Sequence, residues 1–124
     1  MPRFSHAVPF MPVRDLTETI NYYRNLLGFY NEWYWEDTDA GIQRDDLRLL
    51  FMHDPEFVAR VNSNGRHFEI CWFISNVEEV YDEYKKKGIN IVSELAKKPW
   101  GMNEFTLEEI NGYWIRIGTG TEEK

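Results

Sequence analysis

The feature that most constrains this chain is a pattern it carries twice. Val13-Arg14-Asp15-Leu16-Thr17-Glu18 leads through Ile20 and Tyr23 to Gly28-Phe29, and Ile74-Ser75-Asn76-Val77-Glu78-Glu79 leads through Val80 and Tyr84 to Gly88-Ile89. Asp15 and Asn76 keep the same separation as Tyr23 and Tyr84, and Gly28 and Gly88 keep it with one residue dropped. An internal repeat bounds the fold more tightly than local preferences do, because each copy must make the same supersecondary unit. Two copies are too few for a solenoid. They suit a small domain built from two similar halves.

Each copy reads as a strand followed by a capped helix. Asp15 and Asn76 can accept a hydrogen bond from the unpaired N–H groups of a first helical turn. Glu18 and Glu79, three residues on, complete a capping-box pattern. Leu16, Ile20, Tyr23 and Leu27 form one apolar stripe, and Val77, Val80, Tyr81 and Tyr84 form the other. Gly28 and Gly88 suit the left-handed residue after a helix, and Lys85, Lys86 and Lys87 suit the negative end of the second helix dipole. Strands are expected over Phe4–Val13, Phe29–Trp35, Ile42–Arg44 and Leu47–His53, then over Arg66–Ile74, Ile89–Glu94, Asn103–Glu109 and Tyr113–Ile117. Pro9 and Pro12 confine the first of these to an edge or a bulged segment. Glu36 to Asp39 reads as a polar turn, Asp45-Asp46 and Asn111-Gly112 as hairpin turns. Pro55 to Val61 suits a short helical turn, Ala96 to Met102 a loop, and Thr119 to Lys124 a frayed tail. The expectation is one α+β domain of two β-α-β-β-β modules, about residues 4–53 and 66–118. They would form a cupped mixed sheet with the helices on its outer face.

Composition narrows the class. At 124 residues the chain is one domain long enough for a core, and eight Phe, seven Tyr and five Trp can fill that core and leave rings for a cleft. The net charge of −7 disfavours nucleic acid and anionic membranes as partners. No apolar run is long enough to span a bilayer and Met1-Pro2-Arg3 opens no signal-like segment, so a cytoplasmic protein is expected. Cys71 is the one cysteine, which excludes a disulfide framework and a cysteine metal motif; in a strand-like run it reads as a buried, inert thiol. His6, His53 and His67 lack partners at catalytic spacing, and no glycine-rich phosphate loop joins a strand to a helix.

Pro12-Val13-Arg14-Asp15-Leu16, Tyr22-Tyr23-Arg24-Asn25-Leu26-Leu27-Gly28-Phe29 and Trp100-Gly101-Met102-Asn103-Glu104-Phe105, followed by Glu109-Ile110-Asn111-Gly112-Tyr113, resemble the vicinal oxygen chelate superfamily. That superfamily holds glyoxalase I, the extradiol dioxygenases and the bleomycin resistance proteins, and the likeness runs over nearly the whole chain. Glu109-Ile110 stands where the family's turn has Asp-Pro. The Ala7-Val8-Pro9 opening and the Trp100 loop look most like the bleomycin resistance branch. The resemblance implies four inward positions, which relatives with metal chemistry fill with His or Glu, and here they fall at Val8, Leu50, Glu69 and Arg116. Val8 and Leu50 offer no donor and Arg116 is a permanent cation, so no metal and no cofactor are expected. A shift of two residues would bring His6 or His67 inward instead.

Glu69 and Arg116 then read as a charged pair inside a cavity, either anchoring a ligand or filling the space a metal takes in relatives. Glu69 as a lone general base is disfavoured, since a neighbouring guanidinium keeps it ionised and weakly basic. Trp33 and Trp35 share a strand face, and Trp100 sits on a Pro-Trp-Gly loop. They read as stacking surfaces for a flat ligand, with core packing as the alternative. In bleomycin resistance relatives, aromatic residues of this strand and this loop hold the drug's planar rings. Trp114 shares the inward face of Arg116, whereas Trp72 reads as helix-facing core. The resulting expectation is a metal-independent, non-catalytic binding protein of the antibiotic-resistance type. It would work as a homodimer and sequester a planar, cationic ligand through Trp33, Trp35, Glu69, Trp100, Trp114 and Arg116. The alternatives are a glyoxalase- or dioxygenase-class enzyme (a lyase or an oxidoreductase) with a shifted site, and a ligand-responsive interaction module.

Overall fold

A computed structural model of the chain describes residues 1–63, 65 and 67–121. It divides into two compact units, Met1–Ala59 and Arg60–Lys124. In the first unit β1 (Phe10–Val13), α1 (Leu16–Asn25), β2 (Tyr30–Trp35), β3 (Asp39–Arg44) and β4 (Leu47–His53) follow in order, and α2 (Pro55–Val61) comes after them. The second unit holds β5 (Glu69–Phe73), α3 (Val77–Lys86), β6 (Ile91–Lys97), β7 (Met102–Glu108) and β8 (Trp114–Gly120). Each unit has a four-stranded sheet, ordered β1-β4-β3-β2 in one and β5-β8-β7-β6 in the other. In each, the first strand pairs with the last in parallel and the remaining pairs are antiparallel. The repeat in the sequence is thus a repeat of topology, and the class is α+β with two mixed sheets.

The helices form for the reasons their sequences give. Asp15 Oδ1 accepts from the Glu18 N–H at 2.8 Å and Asn76 Oδ1 from the Glu79 N–H at 3.4 Å. The reciprocal arm differs from the capping-box expectation: the Glu79 carboxylate accepts from the Asn76 side-chain amide at 3.1 Å, and Glu18 lies 3.9 Å from Arg14. Gly28 and Gly88 take φ of 83° and 75°, where a Cβ would be strained. Leu16, Ile20, Tyr23 and Leu27 are buried with Met11, Val13, Leu49 and Phe51, where α1 packs on β3 and β4. Val77 and Tyr84 are buried with Trp72, Phe105, Leu107, Ile115 and Ile117 on the α3 side of the second sheet. That leaves the other face of each sheet free of a helix from its own unit.

Several boundaries differ from the sequence reading. β1 starts only at Phe10, because Pro9 has no N–H to give; its carbonyl still accepts from the Leu50 N–H at 3.1 Å. β3 begins at Asp39, inside the expected turn, and β6 runs on to Lys97, inside the expected loop. β8 continues through Gly120, since Gly118, Thr119 and Gly120 pair with Glu104, Asn103 and Met102. Of the expected strand from Arg66 and the expected tail, Arg66 and residues 122–124 lie outside the described residues.

Candidate functional site

The helix-free face of the second sheet carries a cleft of about 210 Å³ lined by Glu69, Val92, Ser93, Lys98, Trp100, Glu104, Thr106, Trp114 and Arg116, among others. Side chains alternate along a strand, so Glu69 on β5, Trp114 and Arg116 on β8, and Glu104 and Thr106 on β7 share this face. The Arg116 guanidinium donates from Nη2 to Glu69 Oε1 at 3.2 Å, and its Nε lies 3.7 Å from Glu104 Oε2. Glu104 is buried at 5 % exposure, and its Oε1 accepts from the Trp100 indole N–H at 3.4 Å. One buried carboxylate therefore touches both the charged floor and the aromatic rim. Gly118, paired with Glu104 across β7 and β8, makes room for it: a Cβ on Gly118 would lie 2.9 Å from the Glu104 Cβ.

The rings are held in different ways. Trp100 is 60 % exposed on the loop between β6 and β7, with the Lys98 ammonium 6.0 Å from its ring centroid. Trp114 donates to Glu108 Oε1 at 3.1 Å and stacks on His67, with centroids 4.4 Å apart and planes 10° from parallel. The His67 Nδ1–H donates to the Gly112 carbonyl at 3.0 Å, which fixes the imidazole under the indole.

Glu69, Trp100, Trp114 and Arg116 therefore line one cleft, while Trp33 and Trp35 belong to the first unit. There Trp33 lies across Gly41, its partner on β3: a Cβ on Gly41 would fall 2.4 Å from the indole. Trp33 lines a cleft of about 150 Å³ with His6, Val8, Asn31, Gln43, Arg48 and Leu50, among others. Trp35, 62 % exposed, is not among its lining residues. Cys71 corrects the sequence reading: it is exposed, because it follows Glu69 by two and shares its face rather than that of buried Trp72. Sequence reasoning missed Glu104 and the stacking of His67. Alternation with Asn103, Phe105 and Leu107 would have set Glu104 on the cleft face, but its reach to Trp100 and Arg116 depends on tertiary contacts.

The four inward positions that the resemblance implies fall two to a unit, Val8 and Leu50 in one cleft and Glu69 and Arg116 in the other. Two hydrocarbon side chains and a guanidinium do not make a donor set for a divalent cation. Among the described residues no group of three or more His, Cys, Asp or Glu side chains is placed to hold a metal ion. No described helix is long and apolar enough to cross a membrane. Outside the clefts, the Glu94 carboxyl on β6 is held below its ordinary value by the Tyr81 hydroxyl that donates to it and by the Lys85 ammonium at 3.6 Å. The Glu32 carboxyl is likewise lowered, by a backbone hydrogen bond and by Arg24.

Two sheets of identical order, each with a helix on one face and a cleft on the other, define a small α+β protein of paired β-α-β-β-β units. Residues 3–117 match the model of the glyoxalase/bleomycin resistance protein/dioxygenase superfamily, and the chain belongs to that family. Solved structures similar to it include a bleomycin resistance determinant encoded on the transposon Tn5, 24 % identical with a TM-score of 0.78, over 94 % of this chain and 98 % of that one. A bleomycin-binding protein complexed with bleomycin is 23 % identical with a TM-score of 0.75, over 97 % and 100 %. The bleomycin-binding protein of Streptomyces verticillus, complexed with copper(II)-bleomycin, is 17 % identical with a TM-score of 0.74, over 99 % and 100 %. No curated protein matches the sequence.

Proposed function

We propose that this protein binds and sequesters a planar, cationic small molecule in the cleft of the second unit, without a metal and without chemistry, as bleomycin resistance proteins do. The observation that carries the reading is the Trp100–Glu104–Arg116–Glu69 chain. An exposed indole is held by a buried carboxylate, and one guanidinium is shared by two carboxylates. Lys98 already sits over the Trp100 ring, so that face accepts a cation, and a ligand cation would take its place. The similar proteins named for bleomycin binding support the same reading. An enzyme of the superfamily has less support, because of the four metal positions only Glu69 offers a ligand. Trp33 and Trp35 are further candidates for ligand contact from the first unit.

A homodimer goes with this reading. Among the described residues each sheet ends in two edge strands, and Phe10 on β1 and Phe73 on β5 leave large apolar side chains exposed along them. Sedimentation at micromolar concentration should give a dimer, and a stable monomer would contradict it. The binding reading is tested with a panel of planar cations, by thermal shift and by quenching of tryptophan fluorescence. Trp100→Ala should weaken the binding of a hit by about 1–3 kcal/mol with the fold intact. Glu69→Gln should weaken a cation more than its neutral analogue. Equal affinity of Trp100→Ala and the parent, or one equivalent of a transition metal retained through dialysis, would overturn the reading.

A further inference from the structure

Lys98 lines two clefts of the second unit. One is the cleft of the Trp100 ring; the other, of about 790 Å³, is lined by Ser75, Glu78, Lys97, Asn103 and Thr121, among others. The Lys98 backbone is fixed in its loop: the N–H donates to the Met102 carbonyl at 2.7 Å, and the carbonyl accepts from the Gly101 N–H at 3.1 Å. The choice between the two clefts therefore falls to the side chain, a compact charge on a flexible four-carbon stem. Among the described residues its ammonium makes no ion pair, and it lies 6.0 Å from the Trp100 ring centroid. In the neighbouring cleft the Glu78 carboxylate accepts from the buried Asn103 amide at 3.3 Å and likewise has no cation paired with it among the described residues.

Where Lys98 rests decides the charge that the Trp100 cleft presents. Its charged lining residues are Glu69, Glu104, Arg116 and Lys98, two carboxylates against a guanidinium and an ammonium, so they balance while Lys98 is inside. With Lys98 withdrawn the carboxylates prevail and the Trp100 ring is uncovered. An ammonium over an exposed ring and an ammonium beside an exposed carboxylate are contacts of similar, small worth. A side chain poised between two such contacts moves at little cost. We propose that Lys98 sets the ligand specificity of this cleft, covering the Trp100 ring in the empty protein and crossing to Glu78 when a planar cation binds. Glu78, which lines the neighbouring cleft and not that of Trp100, is then a positioning residue for a ligand it does not touch. The proposal rests on the cation reading of the second unit and names the side chain that a ligand must move.

Two measurements on the whole chain test it. The first needs no ligand. In Lys98→Ala, quenching of tryptophan fluorescence by caesium ion should rise and quenching by iodide should fall. Lys98→Arg should restore the parent's pattern, and the change should vanish in a Trp100→Phe background. In the second, benzylammonium is titrated. Lys98→Ala should bind it about two- to fivefold more tightly, the worth of one exposed cation–ring contact. Glu78→Gln, which keeps an oxygen for the Asn103 amide, should bind it about two- to fivefold more weakly, the worth of one exposed ion pair. The double variant should match Lys98→Ala, because Glu78 acts through Lys98 alone. Lys97→Ala removes the same charge from the neighbouring cleft and should leave the affinity as in the parent. Neutral benzyl alcohol should also gain from Lys98→Ala, since any ring must displace the ammonium, whereas relief of charge repulsion alone would not help it. The proposal falls if the charged quenchers do not distinguish Lys98→Ala from the parent, if Glu78→Gln weakens binding equally with and without Lys98, or if benzyl alcohol gains nothing. Benzylammonium bound by neither the parent nor Lys98→Ala would overturn the cation reading and the crossing to Glu78 together, whereas failure of the quencher measurement alone removes Lys98 from its role and leaves the cation reading standing.

Discussion

Glu104 is the residue whose removal most directly tests how the second cleft is held together. Its carboxylate lies 3.7 Å from the Arg116 Nε, a gross attraction of about 4.5 kcal/mol at an effective dielectric near 20. Most of that is offset, since a carboxylate with only 6 % of its side chain exposed has given up its hydration. Arg116 keeps Glu69 as a partner and is 35 % exposed, so loss of Glu104 does not strand a buried cation. Glu104→Gln should therefore destabilise the fold by about 1–2 kcal/mol, less than the 3–5 typical of an orphaned buried charge. That corresponds to a Tm lower by roughly 4–8 °C for a chain of this size. Gln retains an oxygen for the Trp100 indole N–H, whereas Glu104→Leu does not, so the leucine variant alone should loosen Trp100 and raise its quenching by acrylamide. Urea unfolding of the single and double variants with Arg116→Gln would give the coupling. The reasoning fails if that coupling is below about 0.3 kcal/mol, the level at which independent sites add, or if Glu104→Gln is as stable as the parent.

Gly41→Ala should cost about 1–3 kcal/mol, because the new methyl collides with the Trp33 ring and the indole must lift off the sheet. The cost should vanish in a Trp33→Ala background, and a cost that persists there would place the strain in the backbone. Glu109→Ala should destabilise by about 2–4 kcal/mol, since this buried carboxylate accepts from the Asn111 and Tyr113 backbone N–H groups. Chemical denaturation reads it, and a loss below 1 kcal/mol would contradict the role. Glu94 has a folded value held below its ordinary 4.5, so its contribution is complete above that pH and is lost as pH falls through the lowered value. Glu94→Gln should flatten the acid limb of the stability profile below about pH 4.5 and also the alkaline limb above about pH 10.5, because Glu94 is the chief cause of the raised Lys85 value.

Much of this was legible because it is local. Asp15, Asn76, Gly28 and Gly88 mark the ends of two helices through their own side chains or lack of one, and no tertiary contact is needed to read them. Strand alternation put Glu69 and Arg116 on one face, where the structure shows them in contact. The misses have a common cause in partners remote in sequence. Gly118 to Gly120 has weak strand preference and is a strand because β7 pairs with it. Glu104 looked like one charge among several, and its place emerged only once Trp100 and Arg116 were brought to its two oxygens. Glu109, a departure from the family's Asp-Pro turn, closes the turn itself by accepting from the Asn111 and Tyr113 backbone N–H groups.

The topology bears on how the chain comes into being. All four strands of the first sheet lie between Phe10 and His53, and none takes a partner from β5 to β8. Its hydrogen-bonded ladders are therefore complete in sequence before Glu69 has been synthesised. Translation adds residues slowly compared with the closing of hairpins and helices. A nascent chain of this design can assemble its first sheet on α1 while the second is still being made. The second copy of the repeat, whose strands are equally self-contained, then emerges when every strand of the first already has a partner within its own sheet. Two similar ladders share one molecule, and each is complete within its own stretch of sequence.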